Sequence, residues 1–354
     1  MTAIISAACT FPSGPTLPLA DVAQRLQFSL VRKHPLYVDQ SGFPIKACYF
    51  PEIVYENPTG RFQQLTRQVV TELMEHQPVL RTVIPQRIWL LLPPPERPGM
   101  TDELVMAVKD TVTDITGWYG CDIHVLYGGP AEIISALEAF KDKDSDGIEI
   151  LLAVDSWLPP SSLMWLDEHN LLHSSIRYFK GEPRPNPYGR IPSEGAAALA
   201  LSGFSSGVAP WCFIIGSGNA DETVLYSDEK GVCLGKGLIQ AALLALRKSG
   251  VTSVSRVISD VNGEPYRFDE LGFTLLRLKS YLSDKYQREV PALASGDLGC
   301  VSLLANLASV AWRIHKSTYQ NDVLVLSSSD NERRGAVVLS KGSGKDSENV
   351  NNQY

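Results

Sequence analysis

Two hydrophobic rhythms alternate along the chain: short unbroken apolar runs, and stretches in which apolar residues recur three and four apart. The runs predict strands at residues 2–8, 88–92, 124–127, 148–155 and 196–201, and the helical spacing predicts helices over 61–75, 102–116 and 131–140. Thr101 suits the N-cap of the second helix. The pattern then repeats as a strand at 211–215, a helix at 234–248, a strand at 255–259, a helix at 266–282, a strand at 292–295, a helix at 300–315, and strands at 322–326 and 335–339. Each half therefore reads as alternating strands and helices, which implies sheets covered by helices in an internally duplicated α/β fold. Residues 19–59 give no periodic element, and residues 159–192 form a polar, proline-rich excursion.

The chain is organised around residues 121–157. An apolar run, His124-Val125-Leu126-Tyr127, meets Gly128-Gly129-Pro130, after which Ile133, Ile134, Leu137 and Phe140 fall on one helical face. Pro130 fits a first helical position, where its missing N–H has no partner to lose. The result is one β-α-β unit, with His124 expected as a hydrogen-bonded core histidine.

Composition narrows the function classes. Forty-four per cent hydrophobic and 20% charged residues are ordinary for a globular protein, and 354 residues can bury a large core. The net charge of −7 argues against a dedicated nucleic-acid or anionic-membrane surface. No run is long enough for a membrane helix and no signal peptide is legible, so the cytoplasm is the expected location. Six dispersed cysteines without a CxxC pair suggest neither a disulfide framework nor a zinc site. His169 and His173, four apart, are read as a solvated helix face, because no third metal ligand is evident. Gly235-Lys236-Gly237 is read as a helix start, because it lacks the preceding glycine of a phosphate loop. No metal and no cofactor are expected.

The central unit, the strand Leu152-Ala153-Val154-Asp155-Ser156 and the stretch Glu194-Gly195-Ala196-Ala197-Ala198 resemble the thiolase superfamily, the β-ketoacyl-[acyl carrier protein] synthases in particular. The resemblance implies a thiolase-like five-layered α-β-α-β-α fold, with a first half over 1–203, a second over 204–340 and a disordered tail over 341–354. It also implies a nucleophilic cysteine at the first helix turn, a site that exploits the helix dipole to favour thiolate. Gly128 and Gly129 stand there instead. The family's His-Gly-Thr-Gly-Thr turn corresponds to residues 257–264, placing Asp260 at the histidine. Its Lys-Ser-Asn-Ile-Gly-His turn corresponds to residues 295–300, placing Ser295 at the lysine and Cys300 at the second histidine. The last turn, residues 327–335, carries Arg333 and Arg334.

The resemblance thus implies a scaffold without the Cys-His-His set, and a binding, adaptor or assembly protein. The partners it suggests are a type VI secretion effector, an acyl carrier protein or a second synthase subunit. A homodimer is expected through residues 121–126. The alternatives are an active acyltransferase rebuilt around Cys300 and Asp260, or an inactive chain-length-factor-like subunit. Tyr37, Tyr49, Trp165 and Tyr178, aromatic residues among prolines in the two excursions, are the expected partner contacts.

Overall fold

The computed structural model describes residues 1–39, 42–54, 56–141, 147–179, 182–203, 207–228 and 231–342. In chain order the first half runs β1 (Thr2–Thr10), α1 (Leu17–Leu26), a hairpin of β2 (Arg32–Val38) and β3 (Pro44–Ala47), and α2 (Pro58–His76). It continues with β4 (Arg87–Leu92), α3 (Asp102–Thr116), β5 (Asp122–Tyr127), α4 (Ile133–Lys141), β6 (Ile148–Ser156), α5 (Pro160–Glu168), a second hairpin of β7 (Ser174–Phe179) and β8 (Glu182–Asn186), and β9 (Glu194–Ser202). The second half runs β10 (Cys212–Asp221), α6 (Lys236–Ser249), β11 (Val254–Ser259), α7 (Pro265–Arg277), β12 (Leu282–Glu289), α8 (Ala292–Ser295), α9 (Ser302–His315), β13 (Val323–Ser328) and β14 (Arg333–Ser340).

The duplication is visible in the sheet. Strand order is β5-β4-β6-β9-β1 in the first half and β12-β11-β13-β14-β10 in the second, which is the same order of third, second, fourth, fifth and first. The second strand of each half pairs parallel with the third and fourth, and the fifth pairs antiparallel with the fourth and first. A short antiparallel contact, Thr2↔Ile214 to Ile4↔Cys212, joins the halves.

Why helices cover both faces follows from the period of two. On β6, Leu151 and Ala153 face one core while Ile150, Leu152 and Val154 face another; β9 and β1 alternate in the same way. The shared inner core also takes Ile133, Ile134, Leu137 and Phe140 of α4, most of α9, and Val325 and Val337 of the second half. Helices α2 and α3 close the outer face of the first half, and α6 and α7 that of the second. These are the five α-β-α-β-α layers that the resemblance implies. Each large apolar side chain buried in this way contributes roughly 2 kcal/mol relative to exposure.

Several elements differ from expectation. Residues 19–59 are not featureless: they hold α1, the first hairpin and the start of α2. The helix expected over 266–282 stops at Arg277, and a strand follows from Leu282. That strand, β12, is an edge strand carrying Asp284, Lys285, Gln287, Arg288 and Glu289, so it has no apolar run to betray it. The strand expected at 292–295 is the short helix α8 behind Pro291. His169 follows the end of α5 and His173 lies beyond it, so they do not share a helix face. Gly235 does cap α6, with a positive φ of 64°. Residues 343–354 of the tail lie outside the described residues.

Candidate active-site pocket

The carboxyl ends of the parallel strands of both halves converge on one cavity of about 260 Å³. In open α/β sheets this is where ligands bind, because the loops there carry the side chains that differ between proteins. Four of the five positions singled out in the sequence, Gly128, Gly129, Asp260 and Cys300, line it. The fifth, Ser295, is buried and donates its hydroxyl to the Gly296 carbonyl at 2.9 Å.

At the turn before α4 the space for a nucleophile is filled. Pro130 opens a short 3₁₀ turn, Pro130–Glu132, that leads into α4, and the Ser329 hydroxyl accepts the Ala131 N–H at 3.1 Å. A Cβ added at Gly129 would overlap the Cβ and Oγ of Ser329. Gly128 has φ 141°, and a Cβ there would come within 2.7 Å of Glu132 Cγ. The helix N-terminus that would stabilise a thiolate is therefore capped by a buried serine, reached from the last turn of the second half.

Cys300 sits in the short turn Gly299–Val301 ahead of α9, fully buried, with its backbone N–H donating to Asp155 Oδ2 at 2.9 Å. Burial first, and the Asp155 carboxylate second, push its thiol well above the ordinary range. This is the opposite of the electropositive, accessible setting of a reactive cysteine. Asp155, raised by burial and held down by Arg97, receives the guanidinium at 2.9 and 2.8 Å, and Arg97 lies 3.5 Å over the Trp157 ring.

A second charge lock closes the other side. Arg190, buried at the end of the 159–192 excursion, reaches both oxygens of Asp330 at 2.7 and 2.8 Å and Glu264 at 3.0 Å. Arg267 meets the same Asp330 at 2.7 Å, Glu264 at 3.2 Å and the Ser328 carbonyl. Burial opposes the charge on Asp330, yet the two arginines hold its carboxyl below the usual range. All three pocket arginines are thus committed to carboxylates.

Asp260 accepts the Ser327 hydroxyl at 2.6 Å and the Ser328 N–H at 3.1 Å, with Arg267 at 3.9 Å. Burial pushes it up to about 6 against these opposing groups. The folded carboxyl then holds its proton more tightly than an unfolded aspartate near about 3.9, so its stabilisation is complete below about pH 4 and is lost as pH rises through about 6. Asp260→Asn keeps an acceptor for the Ser328 N–H and has no proton to lose. Between about pH 4 and about pH 7.5 it should gain on the native protein by on the order of 1–3 kcal/mol in urea unfolding. A difference that does not change with pH would contradict this assignment.

Of the expected partner aromatics, Trp165 lines the cavity. Tyr49 is buried, and Tyr37 and Trp165 pack against it and Trp157 in a small core under the excursions. Tyr37 and Trp165 are half-buried against this core, and the Tyr178 side chain lies outside the described residues. His124 is not in the core: it is exposed on edge strand β5, 2.5 Å from Asp122. Sequence reasoning missed Ser329, Arg97, Asp155, Arg190 and Asp330. Asp155, a charge that follows the apolar run Ile150–Val154, is the one whose position carried a signal.

Elsewhere, Glu222, Cys233 and Glu270 bring ligand atoms within 4.8 Å of one another. Arg334 and Ser328 take the oxygens of Glu270, and backbone N–H groups take those of Glu222, so these carboxylates are already satisfied. Among the described residues no helix is long and apolar enough to cross a membrane.

No protein-family model and no curated protein sequence matches the chain. Solved structures do. A type II PKS acyl-carrier protein in complex with its ketosynthase (AntDE:AntF) is similar at TM-score 0.75 and 13% identity, covering 96% of this chain and 99% of that one. The ketosynthase from module 6 of the bacillaene synthase from Bacillus subtilis 168 is similar at TM-score 0.73 and 15% identity, over 97% and 72%. The ishigamide ketosynthase/chain length factor is similar at TM-score 0.68 and 13% identity, over 96% and 98%. The chain has the thiolase-like ketosynthase fold.

Proposed function

We propose that this ketosynthase-fold chain does not catalyse condensation and works as a binding and assembly partner. The observation that carries the reading is the turn at Gly129, where Ser329 fills the space that a nucleophile's side chain needs. Without that side chain the covalent acyl route has no first step. The surrounding groups support the same reading: Cys300 is buried against a carboxylate, and Asp260 is fixed by two serines and an arginine. The experiment is exposure of the native chain to an acyl thioester, with no covalent adduct expected.

Assembly is expected through β5. It is the outermost strand of its half, its outer edge has no strand partner among the described residues, and it presents Asp122, His124 and Tyr127. Two copies related by a two-fold axis would pair these edges. Light scattering at micromolar concentration should give twice the 38.8 kDa chain mass, and a monomer mass throughout would count against the pairing.

A chain-length-factor-like role beside a second synthase subunit is the alternative favoured by a specific likeness, that to the ishigamide ketosynthase/chain length factor. The secretion-effector and acyl-carrier-protein partners rest on the sequence resemblance. In each case the activity is recognition of a protein, with the charged side chains of the pocket paired among themselves.

A further inference from the structure

Trp157 and Trp165 both line the cavity of about 260 Å³, with ring centroids 6.3 Å apart and planes 12° apart. The Arg97 guanidinium lies 3.5 Å over the Trp157 ring, and the His169 ring stacks on Trp165 at 4.4 Å. This stack already takes a cation and a flat ring, the two kinds of group that electron-rich indole faces hold best. Trp157 is 5% exposed, yet its indole N–H has no acceptor among the described residues. A Cβ at Gly299, which also lines the cavity, would come within 3.1 Å of that nitrogen, so the glycine keeps side-chain atoms away from it. A buried donor without an acceptor is destabilising, and a ligand oxygen beside it removes the penalty.

The charges around the cavity select the sign of a ligand. Glu96, Asp155, Asp260, Asp297 and Asp330 line it against three arginines, Arg97, Arg190 and Arg267. Each arginine is committed within the chain: Arg97 to Asp155, and Arg190 and Arg267 jointly to Asp330 and Glu264. Glu264 is thus a sixth carboxylate in the same network. Asp297 has the Asn262 amide and the Gly299 N–H at 2.8 Å, with Arg190 farther off at 3.7 Å. An anionic ligand would find every cavity arginine taken and a surplus of carboxylates facing it, whereas a cation offsets that surplus.

We propose that this cavity binds, without covalent chemistry, a small planar organic cation that carries a carbonyl or amide oxygen. The positive ring lies against the indoles of Trp157 and Trp165 among the surplus carboxylates, and the oxygen accepts the Trp157 N–H. The proposal goes beyond the reading of the chain as an assembly partner and does not depend on it.

Isothermal titration calorimetry of the native chain tests this with three rings of one shape and different charge: 1-methylnicotinamide, a cation; nicotinamide, neutral; and nicotinate, an anion. The cation should bind saturably, nicotinamide at least about tenfold more weakly, and nicotinate more weakly still. 1-Methylpyridinium, which lacks the carboxamide, should bind at least about threefold more weakly than 1-methylnicotinamide. Trp157→Phe keeps an aromatic face and removes the N–H, so it should abolish that difference. Trp165→Phe keeps a ring against the same core and should weaken the cation at least about threefold, which checks the location independently. No saturable binding of the cation up to about 10 mM would overturn the proposal. So would nicotinate binding as tightly as the cation, a carboxamide preference that survives in Trp157→Phe, or a cation affinity unchanged in both ring variants. Acylation is read separately as a covalent mass, so failure here and failure of the non-condensing reading are distinguishable.

Discussion

Arg190→Ala is expected to destabilise the protein by about 3–5 kcal/mol, a large part of the total stability of an ordinary domain. The guanidinium is buried and ties the 159–192 excursion to Glu264, Asp297 and Asp330 of the second half. Removing it leaves Asp330 with Arg267 alone and costs Glu264 its nearest cation from the first half. Urea unfolding measures the loss. Arg190→Ala combined with Asp330→Ala should cost less than the sum of the two single changes, because each removes the other's partner. A loss below about 1 kcal/mol, the range of a surface pair, would mean that the lock contributes little.

The second large effect is at the blocked turn. Gly129→Cys, which places at this turn the residue type that the resemblance implies, should destabilise by about 1–3 kcal/mol, because the new Cβ overlaps Ser329 in a close-packed interior. The variant should also lack the reactivity of a nucleophilic cysteine. Adding Ser329→Gly removes the overlapping Cβ and Oγ and frees the Ala131 N–H, so the double variant should recover much of the stability and carry a more reactive thiol at the helix N-terminus. Thermal unfolding and thiol alkylation rates read the two halves of this expectation. A Gly129→Cys protein as stable as the native one would show that the turn has room after all.

The fold was legible where periodicity is strong. The strands at β1, β6 and β9 read as mainly apolar runs because both of their faces are buried, and α3 announced itself by its stripe and by Thr101, whose hydroxyl accepts the Leu104 N–H. Periodicity failed where burial is one-sided or brief. Strand β12 lies at an edge with charges along it, and α1 turns part of its apolar set outward, so neither shows a clean inward face. The place of the site was legible only through the resemblance, which located Gly129, Asp260 and Cys300 in three separate stretches. What fills the site was not. Ser329 is 198 residues from the helix start it caps, and Arg190 is 140 residues from Asp330. Contacts of that sequence separation are fixed by how the two halves pack, and no local pattern encodes them.

Intact-mass analysis of the native protein after incubation with excess acetyl-coenzyme A tests the central claim most directly. The account predicts an unmodified chain, because Gly129 offers no nucleophile and the Cys300 thiol is buried and held protonated against Asp155. A stoichiometric acetyl adduct on the folded protein, abolished by Cys300→Ala or by Ser329→Ala, would contradict it and establish a working acyl-enzyme in this pocket.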